Sequence, residues 1–305
     1  MSVTSSRLSL GIALALLSAL FFALVGPSSS YALGDGASPL SMTVGRFLIG
    51  AALTGGYMIL TGQDFRIQKT QFPRLLFATA MLFLLTLAFL SAFEFIPVSL
   101  GVVIFYLYPL LVAVMESLFA RKLPPLSQAL LLLLAFAGVG IAVGSNLDLG
   151  NLSVDGTVVK GALWSAAAAV GLASYFLVVK PLGDVIPLAK LIFYVNALCL
   201  VLVIPYQLLT GSPVELPSTG FGISALSAIG IFYLFAGLIQ VHVLKFMPAS
   251  NAAMIYNAEP VFAVGLSIVV LGETPGEIQL LGSALVLIAL VAFCLLNLRQ
   301  NSATS

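Results

Sequence analysis

Residues 94–99 read Glu-Phe-Ile-Pro-Val-Ser, and residues 245–250 read Lys-Phe-Met-Pro-Ala-Ser. The same shift along the chain aligns four further pairs: Ile104 with Ile255, Pro109 with Pro260, Pro124 with Pro275, and Gln128 with Gln279. Apolar segments match one another easily by chance, whereas prolines and polar residues do not fall into one register so readily. The sequence therefore predicts an internal repeat in which each copy spans about half of the chain.

The composition places both copies in a membrane. Of the 305 residues, 61% are apolar and 8% are charged, and the mean hydropathy is +1.16. Soluble domains are about 45–50% apolar and about 25% charged. The composition excludes a soluble enzyme, a nucleic-acid-binding protein and a disordered protein. The net charge of +1 gives no global field that would attract polyanions.

A helix needs about 20 apolar residues to cross a bilayer. By that measure the chain has room for ten spans with short loops, and the apolar runs place them at 8–29, 39–59, 74–93, 98–119, 125–144, 159–179, 187–208, 221–243, 249–271 and 277–297. The predicted fold is an all-α integral membrane protein, and the lipid bilayer is its first partner.

Basic residues orient these spans. With the N-terminus in the cytoplasm, the cytoplasmic ends hold ten of the 12 basic residues: Arg7, Arg66, Lys69, Arg74, Arg121, Lys122, Lys180, Lys190, Lys245 and Arg299. Lys160 then lies outside, and Arg46 lies within the membrane. Because cytoplasmic segments carry an excess of Lys and Arg, the sequence predicts that both termini are cytoplasmic.

The ten spans divide into two repeats of five helices, at 1–148 and 157–297, followed by a cytoplasmic tail at 298–305. An odd number of spans in each repeat means that the second repeat enters the membrane inverted. Inverted repeats are typical of secondary transporters, in which the substrate lies near the midplane between the two halves. We therefore expect a small-molecule substrate as a partner.

Three ionisable residues are candidates for coupling or for a buried ion pair, because charges within the bilayer are costly and commonly functional. Glu259, near the centre of the ninth span, is a candidate site for a coupling proton. Arg46 lies about 5 Å outward of the midplane at 1.5 Å per residue, where it can bind a substrate carboxylate or pair with Glu259. Glu116 lies near the cytoplasmic end of the fourth span, where it can snorkel or pair with Arg121 or Lys122.

Proline-interrupted helices at matching depth point to a substrate site around the two repeat prolines. The candidates for substrate binding are Tyr106, Tyr108, Ser250, Tyr256, Asn257 and Trp164. Ser250 and Asn257 share one helix face and form one candidate constellation with Tyr106. Glu259 with Tyr256 forms a rival one, because Glu259 lies on nearly the opposite face from Asn257 unless the helix unwinds at Pro260. Trp164 is either an interfacial anchor or a gate.

The sequence offers no cofactor or metal site. Cys199 and Cys294 stand alone in apolar runs, and His242 is the single histidine. There is no phosphate-binding loop of the ATPase type. Small residues at Gly140 and Gly144 have the spacing of close helix contacts. The sequence leaves open whether such contacts lie within one subunit or between two, so the chain is either a monomer or a homodimer.

The run from Glu259 to Ala263 reads Glu-Pro-Val-Phe-Ala, and residues 271–273 read Leu-Gly-Glu. With the weaker copy at 108–110 and with Arg46, these segments resemble the EamA family of the drug/metabolite transporter superfamily. The resemblance implies a ten-helix carrier of small metabolites in the cell (inner) membrane, often an exporter. It also places the second span away from the cavity, which favours a structural role for Arg46. The chain departs from the family at Lys122, where a glutamate is common.

These features favour a secondary transporter that exports amino acids or related compounds by alternating access. The export direction rests on the family resemblance alone. An uptake carrier for a nucleoside, a vitamin or a carboxylate stays open, as does a channel-like or scaffold membrane protein. An integral-membrane enzyme is disfavoured, because the sequence lacks paired acids, a histidine cluster and an activated nucleophile near one interface.

Overall fold

The computed structural model describes residues 5–121, 124–144, 156–271 and 274–303. Within these ranges the regular structure is helical. The helices are α1 (Ser5–Gly34), α2 (Pro39–Leu60), α3 (Phe72–Ala92), α4 (Val98–Phe105), α5 (Tyr108–Ala120), α6 (Leu126–Gly144), α7 (Gly156–Val185), α8 (Leu188–Thr210), α9 (Gly220–Val243), α10 (Ala249–Tyr256), α11 (Ala258–Leu266) and α12 (Glu277–Ala303). A π-helical turn, Ser267–Leu271, continues α11.

Ten of the described segments are long and apolar enough to cross a membrane, which confirms the predicted spans. The short helices α4 and α5 together form one span, and α10 and α11 together form another. Helix α12 continues to Ala303 and so includes most of the segment assigned to the tail.

Both divided spans break at the same point of the repeat. The first break lies at residues 106–107, before Pro109, and the second lies at Asn257, before Pro260. A proline inside a helix lacks a backbone donor, and its ring displaces the preceding turn, but it is tolerated in the first turn. Each span therefore ends one helix and starts another, with the proline close to the new start.

Helix packing follows a two-fold pattern. Helix α1 packs along α9 and α11, and its counterpart α7 packs along α3 and α5. The pairs α2 with α8 and α6 with α12 each map onto themselves. With five spans in each half, this exchange of partners is that of an inverted repeat.

A close helix crossing lies between α6 and α12. A Cβ added at Gly282 would lie 2.6 Å from the carbonyl oxygen of Gly138, and it would also overlap the backbone nitrogen of Ala142. The two backbones are thus in direct contact, which only glycine at position 282 allows. A Cβ added at Gly140 would meet no atom closer than Val103 Cγ1 at 3.9 Å, so the close contact lies at a different glycine from the predicted pair.

The bundle has two ends, which we name after an acidic residue in a loop at each. The Asp35 face carries the loops at 35–38 and 211–219, and the Asp64 face carries those at 61–71, 186–187 and 244–248. On the Asp35 face, the Asp35 carboxylate accepts hydrogen bonds of 2.8 Å from both the backbone N–H and the hydroxyl of Thr219. These hydrogen bonds lower the pKa of Asp35. They tie the end of the first span of one half to the start of α9 in the other.

A second set of contacts between the two halves lies at the Asp64 face. The buried ammonium group of Lys190, at the start of α8, forms an ion pair with Asp64 and donates a hydrogen bond of 3.2 Å to the carbonyl oxygen of Arg66. The Tyr194 hydroxyl donates to the carbonyl oxygen of Phe65. Lys190 lowers the pKa of Asp64. The two halves are thus joined by side-chain contacts at both ends of the bundle.

The two-fold pattern is broken between α5 and α10. Helix α10 packs against α5 near the Asp64 face. The equivalent pair, α4 and α11, makes no comparable contact among the described residues. The bundle is therefore closed between α5 and α10 and open between α4 and α11.

Candidate functional site

A cavity of about 250 Å³ lies at the centre of the bundle, where the two helix breaks meet. It is lined by Phe22, Val25, Thr43, Arg46, Leu82, Leu85, Thr86, Phe89, Phe105, Tyr108, Leu172, Tyr233, Gln240, Tyr256 and Glu259. The lining residues from α1 and α2, and most of those from α3, belong to the parts of these helices nearer the Asp35 face. The cavity therefore extends from the middle of the membrane towards the open side of the bundle.

Predicted residues on both sides of the helix breaks reach this cavity. Tyr256 and Glu259 both face it, although α10 ends at Tyr256 and α11 starts at Ala258. Tyr108, just after the break in the first half, faces it from the other side. The rival constellation of Tyr256 with Glu259 is therefore brought together, and Tyr108 joins it.

Arg46 lies in the cavity wall, so the expectation that the second span lies away from the cavity is wrong. Its Nη2 donates a hydrogen bond of 2.5 Å to the hydroxyl of Thr86. The guanidinium carbon lies 4.6 Å from the ring centroid of Tyr233 and 4.8 Å from that of Phe47. Its Nε is buried and has no hydrogen-bond partner within the described part of the chain. The second span reaches the cavity because α2 packs against α8 and α9 across the two halves.

Glu259 and Arg46 face the same cavity from opposite halves of the repeat. The ion pairs found among the described residues do not include either of them, so the predicted Arg46–Glu259 pair is not formed. The Glu259 carboxyl instead faces the hydroxyl of Tyr106, which is buried behind the cavity wall. The side chain of Glu259 retains partial exposure, which leaves room for a bound group beside it.

Aromatic rings connect the two breaks. Phe89 lies 4.8 Å from Phe105, which lies 5.4 Å from Tyr108, as measured between ring centroids. Phe176 of α7 then lies 6.2 Å from Tyr108 and 5.8 Å from Tyr256. Such pairs stabilise a fixed arrangement beyond their buried area. The rings give the cavity one rigid, apolar wall that both halves share.

The other predicted constellation is not assembled. Asn257 is 1% exposed, does not line the cavity, and donates a hydrogen bond of 3.2 Å to the carbonyl oxygen of Met254. Ser250, seven residues before Asn257, lines a separate cavity near the Asp64 face. Ser250 and Asn257 therefore do not converge with Tyr106 on one ligand. Trp164, the separate candidate for an anchor or a gate, is 36% exposed on α7 and is not among the residues that line the central cavity.

Glu116 has partners that differ from those expected. Its carboxylate accepts hydrogen bonds from the backbone N–H groups of Ala249, at 3.2 Å, and Ser250, at 2.9 Å. It also lies 3.7 Å from the ammonium group of Lys180. Arg121, an expected partner, does not pair with it among the described residues, and Lys122 lies outside them. Glu116 thus caps the start of α10, where a carboxylate meets the positive end of the helix dipole.

A second cavity, of about 210 Å³, lies beside this cap. Glu116, Ser117, Gln128, Ser250 and Asn251 supply its polar lining. It is separated from the central cavity by the packing of α5 on α10.

Sequence reasoning missed several residues of the central cavity, among them Thr43, Thr86, Tyr233 and Gln240. Their own signal is a polar side chain within an apolar run. Thr86 is the most informative, because it is the residue that orients Arg46. Both cysteines are free, and the described residues contain no group of three or more His, Cys, Asp or Glu side chains that could hold a metal ion.

The sequence matches the profile of the EamA-like transporter family over residues 9–144 and again over residues 159–295. The chain belongs to the EamA-like transporter family. The two matched segments are the two five-span halves, so the resemblance carried by the segment after Glu259 is confirmed.

The fold of this EamA-like transporter also occurs among solved structures. One, described as "Crystal structure of protein", is 20% identical in sequence and has a TM-score of 0.78. The alignment covers 94% of this chain and 98% of that one. At this identity the similarity shows the fold alone. A search of curated proteins gave no match. The chain is therefore a multi-pass membrane protein of a transporter family.

Proposed function

We propose that the protein is a secondary transporter that exports a small polar metabolite, an amino acid or a related compound, by alternating access. One observation carries the proposal: a cavity with both an acidic and a basic side chain lies where the two helix breaks meet, and its lining residues from α1 and α2 lie nearer the Asp35 face. At about 250 Å³, it is smaller than the pockets of roughly 300–1,000 Å³ that hold drug-sized ligands. Its size therefore suits a small metabolite.

Alternating access follows from the broken symmetry of the bundle. In the present state α10 is packed on α5, and α4 is apart from α11. Exchanging the conformations of the two halves would pack α4 on α11 and release α10 from α5. The cavity would then open to the Asp64 face, while the pairs α2 with α8 and α6 with α12 stay in place. Such movement of one repeat against the other is the usual mechanism of inverted-repeat carriers.

The orientation that we propose places both termini and the Asp64 face in the cytoplasm, with the chain in the cell (inner) membrane. The excess of Lys and Arg at that face supports it. The present state is then open to the outside. Export as the direction and amino acids as the substrate class are supported by the family and by the paired charges of the cavity.

Glu259 is the proposed site of a coupling proton. It is the cavity carboxyl, it lies at the start of α11 beside a helix break, and it forms no ion pair within the described chain. A carboxyl in such a position can change its protonation state as the cavity changes sides, without breaking a structural pair.

A substrate panel in proteoliposomes tests the proposal. Purified protein is reconstituted, and the exchange of radiolabelled amino acids, nucleosides and organic acids is measured with and without a pH gradient. Saturable counterflow of an amino acid supports the proposal. If only compounds other than amino acids are exchanged, the proposed substrate class is wrong. If the protein conducts ions without saturable exchange, it is better described as a channel and the proposed carrier function is wrong.

A further inference from the structure

Arg46 is a partly buried cation that forms no ion pair among the described residues. It donates one hydrogen bond, to Thr86, and its buried Nε has no partner within the described chain. The rings of Phe47 and Tyr233 offset part of the cost of removing the charge from water. Such a charge is nevertheless costly unless an opposite charge accompanies it. The guanidinium group can therefore bind an anion from within the cavity.

Glu259 is an acidic side chain that lines the same cavity and forms no ion pair among the described residues. It comes from the other half of the repeat, it retains exposure to the cavity, and its neighbour Tyr106 is uncharged. If the two charges served only to hold the halves together, we would expect them to form a direct ion pair. The described structure has no such pair, and both side chains line the same cavity instead.

We propose that this cavity binds an amphoteric solute, with its anionic group on Arg46 and Thr86 and its ammonium group on Glu259. This inference rests on the proposed transport function and specifies the chemistry of its site. Both charges of the solute then bridge the two halves of the carrier. A compound that lacks the anionic group leaves Arg46 uncompensated, and one that lacks the amine leaves Glu259 uncompensated.

Matched compounds test this rule on the full-length carrier in proteoliposomes. Serine, leucine and phenylalanine are each compared with their own amide, which lacks the anion, and with the deaminated acid, which lacks the amine. Competition against counterflow of each labelled amino acid gives relative affinities. Because a hydrogen bond to a charged group contributes strongly, the amino acid is expected to bind about ten- to a hundredfold more tightly than either analogue.

Two variants test whether the anionic group of the solute binds to Arg46. Arg46→Gln should abolish the preference for the acid over its amide and leave the preference for the amine intact. Thr86→Val is the second variant, because it removes the hydrogen bond that orients Arg46, and it should reduce the same preference. Thr79→Val is its matched control: Thr79 lies two turns away on α3, is equally buried, and makes the same hydrogen bond to its own helix.

The outcomes are distinct. If the wild-type carrier exchanges amides or deaminated acids as well as amino acids, the site assignment is wrong and the transport function stands. If no compound of the panel is exchanged, the proposed function fails and the inference fails with it. If Arg46→Gln lowers the melting temperature and slows all compounds equally, Arg46 is structural and the inference is overturned.

Discussion

The carboxylate of Glu116 on α5 accepts a hydrogen bond of 2.9 Å from the backbone N–H of Ser250 on α10. This bond crosses from one half of the repeat to the other at the face where the bundle is closed. Lys180, on α7, lies 3.7 Å from the same carboxylate. The cap holds the start of α10 against α5, and the ion pair joins the same carboxylate to α7. In an alternating-access cycle, the hydrogen bonds from α10 must be released when this face opens.

Removing the cap should favour opening of the Asp64 face. Loss of a helix cap costs about 1 kcal/mol, so Glu116→Ala should raise the open population roughly fivefold. Ser117→Cys, in the second cavity, reports it as faster maleimide labelling in a background without Cys199 and Cys294. Lys180→Gln is the control, because it removes the ion pair and leaves the cap. Equal labelling rates in both variants would show that the cap does not hold this face closed.

Glu259→Gln should abolish transport driven by a pH gradient and leave counterflow exchange measurable, because glutamine keeps the shape of the side chain but cannot exchange a proton. Since Glu259 and Arg46 do not form an ion pair in the described structure, the variant should be well folded, and a second change at Arg46 should not improve its yield. The measurement is uptake in proteoliposomes with and without a gradient. If pH-driven transport is unchanged in the variant, Glu259 is not the site of the coupling proton.

Gly282→Ala should destabilise the bundle. Its Cβ would lie within 2.6 Å of backbone atoms of α6, and overpacking of this kind costs about 1–3 kcal/mol. The control is Gly237→Ala on α9, where an added Cβ meets no atom within 4 Å. In that position alanine favours the helix by about 0.5–1 kcal/mol. Melting in detergent should therefore shift down for the first variant and not for the second. If the melting temperature falls equally in both variants, the close contact of α6 with α12 at Gly282 is not the cause.

Asp64→Asn should lower the melting temperature at neutral pH, because it leaves the buried Lys190 without its partner. Lys190 lowers the native pKa of Asp64, so its contribution is complete above the unfolded-state pKa of about 3.9. The contribution is lost as the pH falls through the native value. The difference between wild type and variant should therefore narrow below about pH 4. Asp184→Asn, at another exposed acid, is the control. A difference independent of pH would exclude the ion pair as its cause.

The orientation can be read from labelling of single cysteines in cells. Gln68→Cys lies exposed on the Asp64 face, and Val214→Cys lies exposed on the Asp35 face. A membrane-impermeant maleimide should label position 214 in intact cells and position 68 only after permeabilisation. Labelling of position 68 from outside would reverse the proposed topology, and with it the direction in which the present state is open.

The fold was largely predictable from the sequence. Hydropathy fixes the ten spans because each must be long and apolar, and prolines in one register fix the repeat. The position of the helix breaks follows from Pro109 and Pro260, since proline disrupts the preceding turn. Tyr256 and Glu259 are three residues apart and so share a helix face by the 3.6-residue periodicity, and the structure places both in one cavity although a break separates their helices.

The site was predictable only in part. The family resemblance places the second span away from the cavity, and proximity along the chain suggests neighbouring cations as partners of Glu116. The partners in the structure, Thr86 for Arg46 and the start of α10 for Glu116, are set by how the helices pack. Likewise, the close crossing of α6 and α12 uses Gly138 and Gly282 rather than Gly140. Hydropathy does not encode the rotation of one helix against another, so such pairings need the three-dimensional structure.

The cap at Glu116 makes the two end states of the carrier unequal. In the register of the repeat, the residue that corresponds to Glu116 is Ser267, so the sequence has one carboxylate for the two equivalent positions. The empty protein should therefore rest with its Asp64 face shut. Under the proposed orientation, each export cycle then ends in the favoured state, and the return without cargo becomes the slow step. Exchange of solute for solute, which avoids that return, should consequently run faster than net efflux.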